Sequence, residues 1–412
     1  MDKNEILVDL TIRAFKAALT FFLIVPIVIL VWTIWLLAPV DAQAFEKPAE
    51  IKISAALDPG MAHFLDLVDP DKNASFDPRL IAPVLDFVES PKDHTALYYA
   101  NKIGDLTSAY YDFDINRKLI SIVQYAFNPK IPPIATMPSS VRLIHWMDGR
   151  LNKQPSPDVA HYLDRLDNPV VIEGLLGIQI TPDLNSGAYY SYNVYQTLLL
   201  FKHRRRNVLV TVSKQMDVST VGKKGYILGD DNGWDYYYSG KTGLTIPALG
   251  WVRSYMYDSS AVNIYFEIDP GVPVVRCAMF KWLKAGWSGI NMVQKKHIYR
   301  GLKRFAVPFK TIMEYRQLPS PEVMADDFSR VRGLSEDALR SKMTLFSDMM
   351  EKRYGPGQPR NRKWPPDLLK NKNPWIDMTP EEMESTLVIE YMKYALGKTR
   401  AVEVRELLGL TR

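Results

Sequence analysis

The longest uninterrupted apolar stretch of the chain runs from Ala17 to Val40 (AALTFFLIVPIVILVWTIWLLAPV), with no charge between Lys16 and Asp41. A helix rises about 1.5 Å per residue and the hydrocarbon core of a bilayer is about 30 Å thick, so this run is long enough to span a membrane. Pro26 removes one backbone donor and is expected to bend the span. Trp32 and Trp35 fall near its far end, where indoles favour the headgroup region. No comparable run follows, so everything after Asp41 is expected in one aqueous compartment.

Ala42-Gln43-Ala44 supplies an A-x-A cleavage pattern just after this run. A cleaved signal has a basic leader and an apolar region of about 7–15 residues. Here the run is far longer, and the leader mixes Asp2, Glu5 and Asp9 with Lys3, Arg13 and Lys16, so an uncleaved anchor is expected. Three basic residues precede the span, while Lys47 and Lys52 follow closely. That bias favours a cytoplasmic segment 1–16 and a periplasmic body.

Beyond a stalk at 41–54, apolar periodicity divides the body. Over 55–168 the spacing is mostly helical: Met61, Phe64, Leu65 and Val68 share one face, as do Leu80, Val84, Leu85 and Val88. Leu97, Ile103, Leu106 and Tyr110 predict a further helix. Asp114 is expected to cap the helix bearing Leu119, Ile122 and Val123, and a short helix is expected over 157–166. Over 169–286 the period shortens. Runs rich in Val, Ile, Tyr and Trp are separated by Gly, Asn and Asp, which predicts a mainly antiparallel sheet or small barrel.

Helical spacing returns over 287–352, where Ile298, Leu302, Phe305 and Phe309 form one face of a helix that Pro308 is expected to bend or end. Ser320-Pro321-Glu322 and Ser335-Glu336-Asp337 read as helix starts. Prolines and basic residues over 353–378 predict a linker or extended arm. Thr379-Pro380-Glu381-Glu382 is a capping box that opens the C-terminal helices of 379–412. The fold class is therefore α+β, with no internal repeat and no heptad pattern.

The net charge of +5 lies wholly after the anchor, because residues 1–16 carry three charges of each sign. So mild an excess gives no reason to expect nucleic acid as a partner. The single cysteine, Cys277, excludes an intramolecular disulfide and CxxC chemistry, and its apolar neighbours predict burial.

Candidate chemistry is sparse. Asp69, Asp71, Asn73, Ser75 and Asp77 place oxygens at alternate positions on a loop between two predicted helices, as calcium requires. The spacing resembles the start of an EF-hand loop, but Ala74 replaces the turn glycine and Leu80 the bidentate glutamate. Asp112, Asp114 and Asn116 repeat the spacing and run straight into a predicted helix. Asp230-Asp231-Asn232-Gly233-Trp234-Asp235 reads as a turn. The six histidines form no close pair and no HExxH, Gly286-Trp287-Ser288-Gly289 lacks the nucleophile-elbow spacing, and Gly222-Lys223-Lys224-Gly225 lacks the phosphate-loop pattern. No catalytic residue and no cofactor is expected.

Candidate contacts with partner proteins or lipid are basic or aromatic. Arg204, Arg205 and Arg206 stand on an expected hairpin tip, Lys296, Arg300 and Lys303 on the polar face of the helix after Asn291, and Trp364 and Trp375 in the arm. Tyr189, Tyr190, Tyr192 and Tyr195, with Tyr236, Tyr237 and Tyr238, make the sheet aromatic. Core packing and strand propensity account for most of them, and any rings that face outward would offer a platform for glycans or a partner chain.

The leading expectation is a single-span envelope protein that contacts the bilayer through 17–40 and acts as a non-enzymatic scaffold or accessory subunit among other membrane or envelope proteins. The alternatives are an anchored module for cell-wall glycan or anionic lipid, and an envelope hydrolase whose site assembles only in the fold. N-terminal sequencing of the protein recovered from membranes should find the residues before Phe45 retained; a mature chain starting at Phe45 would remove the tether.

Overall fold

Alternation of apolar residues in the middle of the chain, and helical spacing on both sides of it, translate into one long sheet covered by helices. The computed structural model describes residues 48–148, 152–163, 165–246, 250–355, 378–399 and 407–408. The expected span 17–40, the stalk before residue 48 and the arm over 356–377, with Trp364 and Trp375, lie outside them. Among the described residues no helix is long and apolar enough to cross a membrane.

From Ala49 on, the chain forms one compact unit. A short strand β1 (Glu50–Lys52) leads into helices α1 (Asp58–Val68) and α2 (Pro78–Glu89). Then come β2 (Leu97–Tyr99), β3 (Thr107–Ile115), α3 (Leu119–Ala126), β4 (Val141–Asp148), β5 (Asn152–Gln154) and α4 (Val159–Leu163). The middle of the chain supplies β6 (Val170–Ile180), β7 (Ala188–Tyr189), β8 (Ser191–His203), β9 (Arg206–Gln215), β10 (Lys223–Ile227) and β11 (Tyr236–Thr242). After these follow β12 (Leu244–Ile246), β13 (Gly250–Val252), β14 (Tyr255–Asp269), β15 (Val272–Trp287) and β16 (Ile290–Asn291). Helices α5 (Lys295–Glu314), α6 (Pro321–Arg332), α7 (Glu336–Tyr354) and α8 (Pro380–Ala395) complete the body.

The main sheet has eleven strands in the order β1-β2-β3-β15-β14-β9-β8-β6-β4-β5, with β16 beside β15. Every pairing in it is antiparallel except β1 with β2. The path is open, and no pairing among the described residues closes it into a barrel. A mixed α+β body with a mainly antiparallel sheet is thus what the alternation implied.

Two local readings are corrected. Residues 97–110 are not a helix but β2 and the first part of β3. Leu97, Leu106 and Tyr110 are buried because β3 pairs with β15, and that long-range pairing overrides a spacing that fits a helix by chance. Asp114 caps no helix; it lies within β3 and grips Arg276 with both oxygens, at 2.7 and 2.9 Å.

Pro308 neither ends nor replaces α5, which continues to Glu314. A proline at 308 leaves the Arg304 carbonyl without its usual amide donor. The Ser139 hydroxyl donates to that carbonyl at 2.9 Å and takes the donor's place.

The two faces of the sheet are both roofed. On one, α1 and α2 cover Val208, Val210, Val212, Val262, Ile264, Phe266 and Phe280, all essentially without exposure. The helices approach closely at Gly60, where a Cβ would lie 2.8 Å from the Leu80 carbonyl oxygen. On the other face, α3, α5, α6 and α8 pack over Leu200, Leu209, Tyr265, Cys277 and Met279. Cys277 is buried, as its neighbours implied, and burial pushes its thiol pKa well up.

A three-stranded sheet, β11-β10-β7, lies against α7 and α8. Its key lock is ionic. Asp235 accepts from Lys393 and from the Tyr354 hydroxyl at 2.6 Å, and Lys393 also bonds Glu390 at 2.5 Å. Asp235, Lys393 and Glu390 are almost wholly buried. Burial alone would raise the Asp235 pKa, but the Lys393 ammonium and the Arg353 guanidinium outweigh it and hold the carboxyl below its ordinary value.

A depressed carboxylate pKa stabilises the fold above the unfolded value, and that stability is lost as pH falls through the folded value. Lys393→Met should therefore destabilise the body by about 3–5 kcal/mol, since it leaves two buried carboxylates short of a cation. In thermal melts, the stability gap between wild type and Asp235→Asn should be full at neutral pH and shrink below the ordinary carboxylate range.

Candidate functional site

The strands β8, β9, β14 and β15 present different chemistry to their two roofs. The register aligns Gly174, Gln196, Ser213, Ala261 and Lys281 in one row across β6, β8, β9, β14 and β15. The next row along the strands is Leu198, Thr211, Asn263 and Met279, and the one after it Leu200, Leu209, Tyr265 and Cys277. Polarity falls along this series. All three rows face α5, α6 and α8.

Over the two more polar rows the helices do not fill the space. A cavity of about 610 Å³ lies there, with Gln196, Leu198, Thr211, Ser213, Asn263 and Lys281 among its floor residues. Leu302, Phe305 and Phe309 of α5, Phe328 of α6 and Val388 of α8 form its roof. Trp146 closes one side. Its ring lies over Gly174 so closely that a Cβ on Gly174 would sit 2.2 Å from it. The exposed residues Lys153, Gln154, Pro155 and Arg332 mark the opening.

The roof is held by directional bonds. Glu382 serves the α8 capping box, accepting the Thr379 amide at 3.1 Å, and also accepts Arg142 Nη1 at 2.6 Å. The Ser385 hydroxyl donates to the Arg142 carbonyl at 2.8 Å. The Arg142 guanidinium stacks 3.8 Å from the Tyr238 ring, and its Nη2 is buried without a partner. On α5, Arg304 forks onto Asp231 with two bonds of 2.7 Å.

Electrostatically the rim is nearly neutral. Lys153 pairs with Glu381, whose Oε2 lies 3.9 Å from His145 Nε2. Burial and the Lys153 charge lower the His145 pKa, while burial and Glu381 raise that of Glu384. The floor differs. Lys281 has no hydrogen bond or ion pair among the described residues; it is part-buried and lines the cavity. Burial brings its pKa down to about 8, against the opposing pull of Asp258. Asp258 is too far for an ion pair, and burial raises its own pKa.

The residues singled out from sequence lie elsewhere. Asp69 accepts from Lys214 at 2.5 Å and from the Asp71 amide at 3.2 Å, and Asp77 caps α2 while gripping Arg79. Asp71, Asn73 and Ser75 are exposed on the loop between them. Among the described residues no three His, Cys, Asp or Glu side chains gather as a metal site. Arg204 and Arg205 form the β8–β9 turn with φ of 49° and 66°. Arg204 pairs with Asp86 at 2.8 Å, Arg206 is buried on Glu89 at 2.6 Å, and Arg205 is exposed.

Lys296, Arg300 and Lys303 lie on the exposed face of α5, opposite its cavity-lining residues. Of the tyrosines, Tyr189, Tyr190, Tyr236 and Tyr237 are buried, Tyr192 lines the cavity, and Tyr195 and Tyr238 are half-buried against the core, so none is fully exposed. The residues that sequence reasoning missed are Gln196, Thr211, Ser213, Asn263 and Lys281. Their signal was a polar residue at alternate positions of strands otherwise apolar on both faces.

No family model matches this chain, and no curated protein matches it. Among solved structures, the human StarD13 (DLC2) lipid transfer and protein localization domain is similar over 59% of this chain and 100% of that domain, at 8% identity and a TM-score of 0.26. A likeness of that size bears on neither fold nor function.

The Lys281 environment is directly measurable. After reductive methylation with ¹³C, the NMR signal absent from Lys281→Met should titrate near pH 8, below the signals of exposed lysines. A midpoint near that of ordinary lysine, ~10.4, would show that the ammonium is solvated or paired.

Proposed function

We propose that this chain is a membrane-tethered binding module whose body takes one small amphipathic molecule between the sheet and α5, α6 and α8. The apolar run 17–40 is the proposed tether, with the body on the extracytoplasmic side. The observation that carries the reading is the hollow over the polar rows of the floor. Its volume falls within the ~300–1,000 Å³ of small-molecule sites, and it combines apolar walls with a few convergent polar groups.

The hollow opens to solvent at Lys153, Gln154, Pro155 and Arg332, so a ligand has a way in, and its lining suits a molecule with a long apolar part and a polar end. Compared with the scaffold reading, this one uses buried features that a docking surface would not need. Compared with a glycan platform, it has apolar walls where a glycan would want outward rings.

The test is co-purification. Full-length protein extracted in mild detergent should carry a small amphiphile near one equivalent, detectable by mass spectrometry of an organic extract. Ser213→Trp, which fills the floor, should lose it while keeping the same melting profile. Equal recovery from both forms would sink the reading.

A further inference from the structure

Lys281 puts an ionisable group where an unpaired charge is unfavourable. Buried ammonium groups are normally paired, because losing hydration without a counter-ion costs several kcal/mol. Lys281 has no such partner among the described residues. The other cations on the cavity wall have partners: Arg142 is paired with Glu382 through Nη1, though its Nη2 is unsatisfied, Lys153 with Glu381, and Arg332 with the Lys130 carbonyl. Lys281 on the floor thus has no ion-pair partner among the described residues, only the longer-range attraction of Asp258.

We propose that Lys281 anchors the carboxylate of a monocarboxylic amphiphile, a long-chain carboxylic acid, whose tail lies against Leu198, Met279, Phe305 and Phe309. The inference rests on reading the hollow as a ligand site and names the ligand's head group. A carboxylate carries one negative charge and is matched by one ammonium. A phosphate head carries more charge and is usually met by several cationic donors or a helix N-terminus, whereas the floor offers one free ammonium.

The row containing Lys281 suits this use. Ala261, beside Lys281 on β14, carries only a methyl group, which leaves the space over the row open. Ser213, the next residue in the row, has a hydroxyl with no hydrogen-bond partner among the described residues and can donate to a second carboxylate oxygen. Polarity then falls through Thr211 and Asn263 to Leu209 and Tyr265. That gradient runs from head to tail of the proposed ligand.

Photo-crosslinking in isolated membranes tests this on the full chain. The probes are diazirine-bearing dodecanoic acid and the matching dodecan-1-ol, and the readout is the ratio of acid to alcohol labelling on peptides lining the cavity. The acid should dominate in wild type. A charged hydrogen bond accounts for about tenfold or more in affinity, so the ratio should fall about tenfold in Lys281→Met and Lys281→Gln and persist in Lys281→Arg.

Alcohol labelling reports folding, and the glutamine variant decides should the methionine variant fail to fold. If both probes label the cavity and the ratio in Lys281→Gln equals that of wild type, the carboxylate anchor is overturned while the ligand site stands. If neither probe labels the cavity in wild type, the ligand site fails and the anchor fails with it.

Discussion

Over its central strands both faces of the long sheet lie under helices, so a polar side chain there has little access to bulk water and is best satisfied inside. The two faces meet this constraint in different ways. Under α1 and α2 the strands present Val208, Val210, Val212, Val262, Ile264 and Phe266, and the helices settle into full contact. Under α5, α6 and α8 the same strands present Gln196, Ser213, Thr211, Asn263 and Lys281, and the helices stand off. Asn263 donates to Thr211 at 3.0 Å, which satisfies part of the set, but Lys281 has no such partner. The hollow follows from the polar rows as much as from the shape of the sheet.

A roof that stands off needs support, because burying its apolar underside on the floor would be favourable at about 25 cal/mol per Å². The support comes from bonds at its edges. Glu382 on Arg142, Ser385 on the Arg142 carbonyl, Asp231 on Arg304 and Ser139 on the carbonyl that Pro308 leaves free all tie the start of α8 and the middle of α5 to loops and strands. Asp235 with Lys393 ties the far end of α8 to the β10–β11 region. These bonds are short and directional, and those of Arg142 and Ser385 sit in the wall of the hollow. A helix held at both ends cannot drop onto the floor without breaking one of them, and breaking a buried charged pair costs more than a few buried methylenes return.

Much of this fold was legible along the chain. The starts of α6, α7 and α8 carry their cap residues, and the structure shows Ser320, Ser335 and Thr379 accepting from the expected amides. The β8–β9 hairpin was legible from the basic run Lys202 to Arg206 between two strand-like runs. The misreadings share one cause: contacts distant in sequence. Leu97 to Tyr110 fits a helix until β15 pairs alongside, and Pro308 reads as a stop until Ser139 arrives from 165 residues away. The tyrosines read mostly as core, and an outward platform stayed open beside that reading because alternation alone does not say that both faces are covered. The same gap hid the site. A polar residue at every second position of a strand ordinarily marks the solvent face, and only the presence of helices on that face turns Gln196, Ser213 and Lys281 from surface residues into the lining of a cavity.

A pinned roof also shapes how such a site selects. Little ordering is left to be done when a ligand arrives, so affinity depends on shape and charge already in place. The opening bears on this. Lys153, Glu381 and His145 leave the rim close to electrically neutral, so long-range attraction does little to sort molecules by charge before they enter. Discrimination falls to the interior, where the medium is less polarisable than water and one uncompensated ammonium weighs more than several at the surface. A neutral rim and a charged floor together therefore place selection at the bottom of the cavity, at the end where the strands are most polar, and leave the apolar walls to supply affinity without specificity.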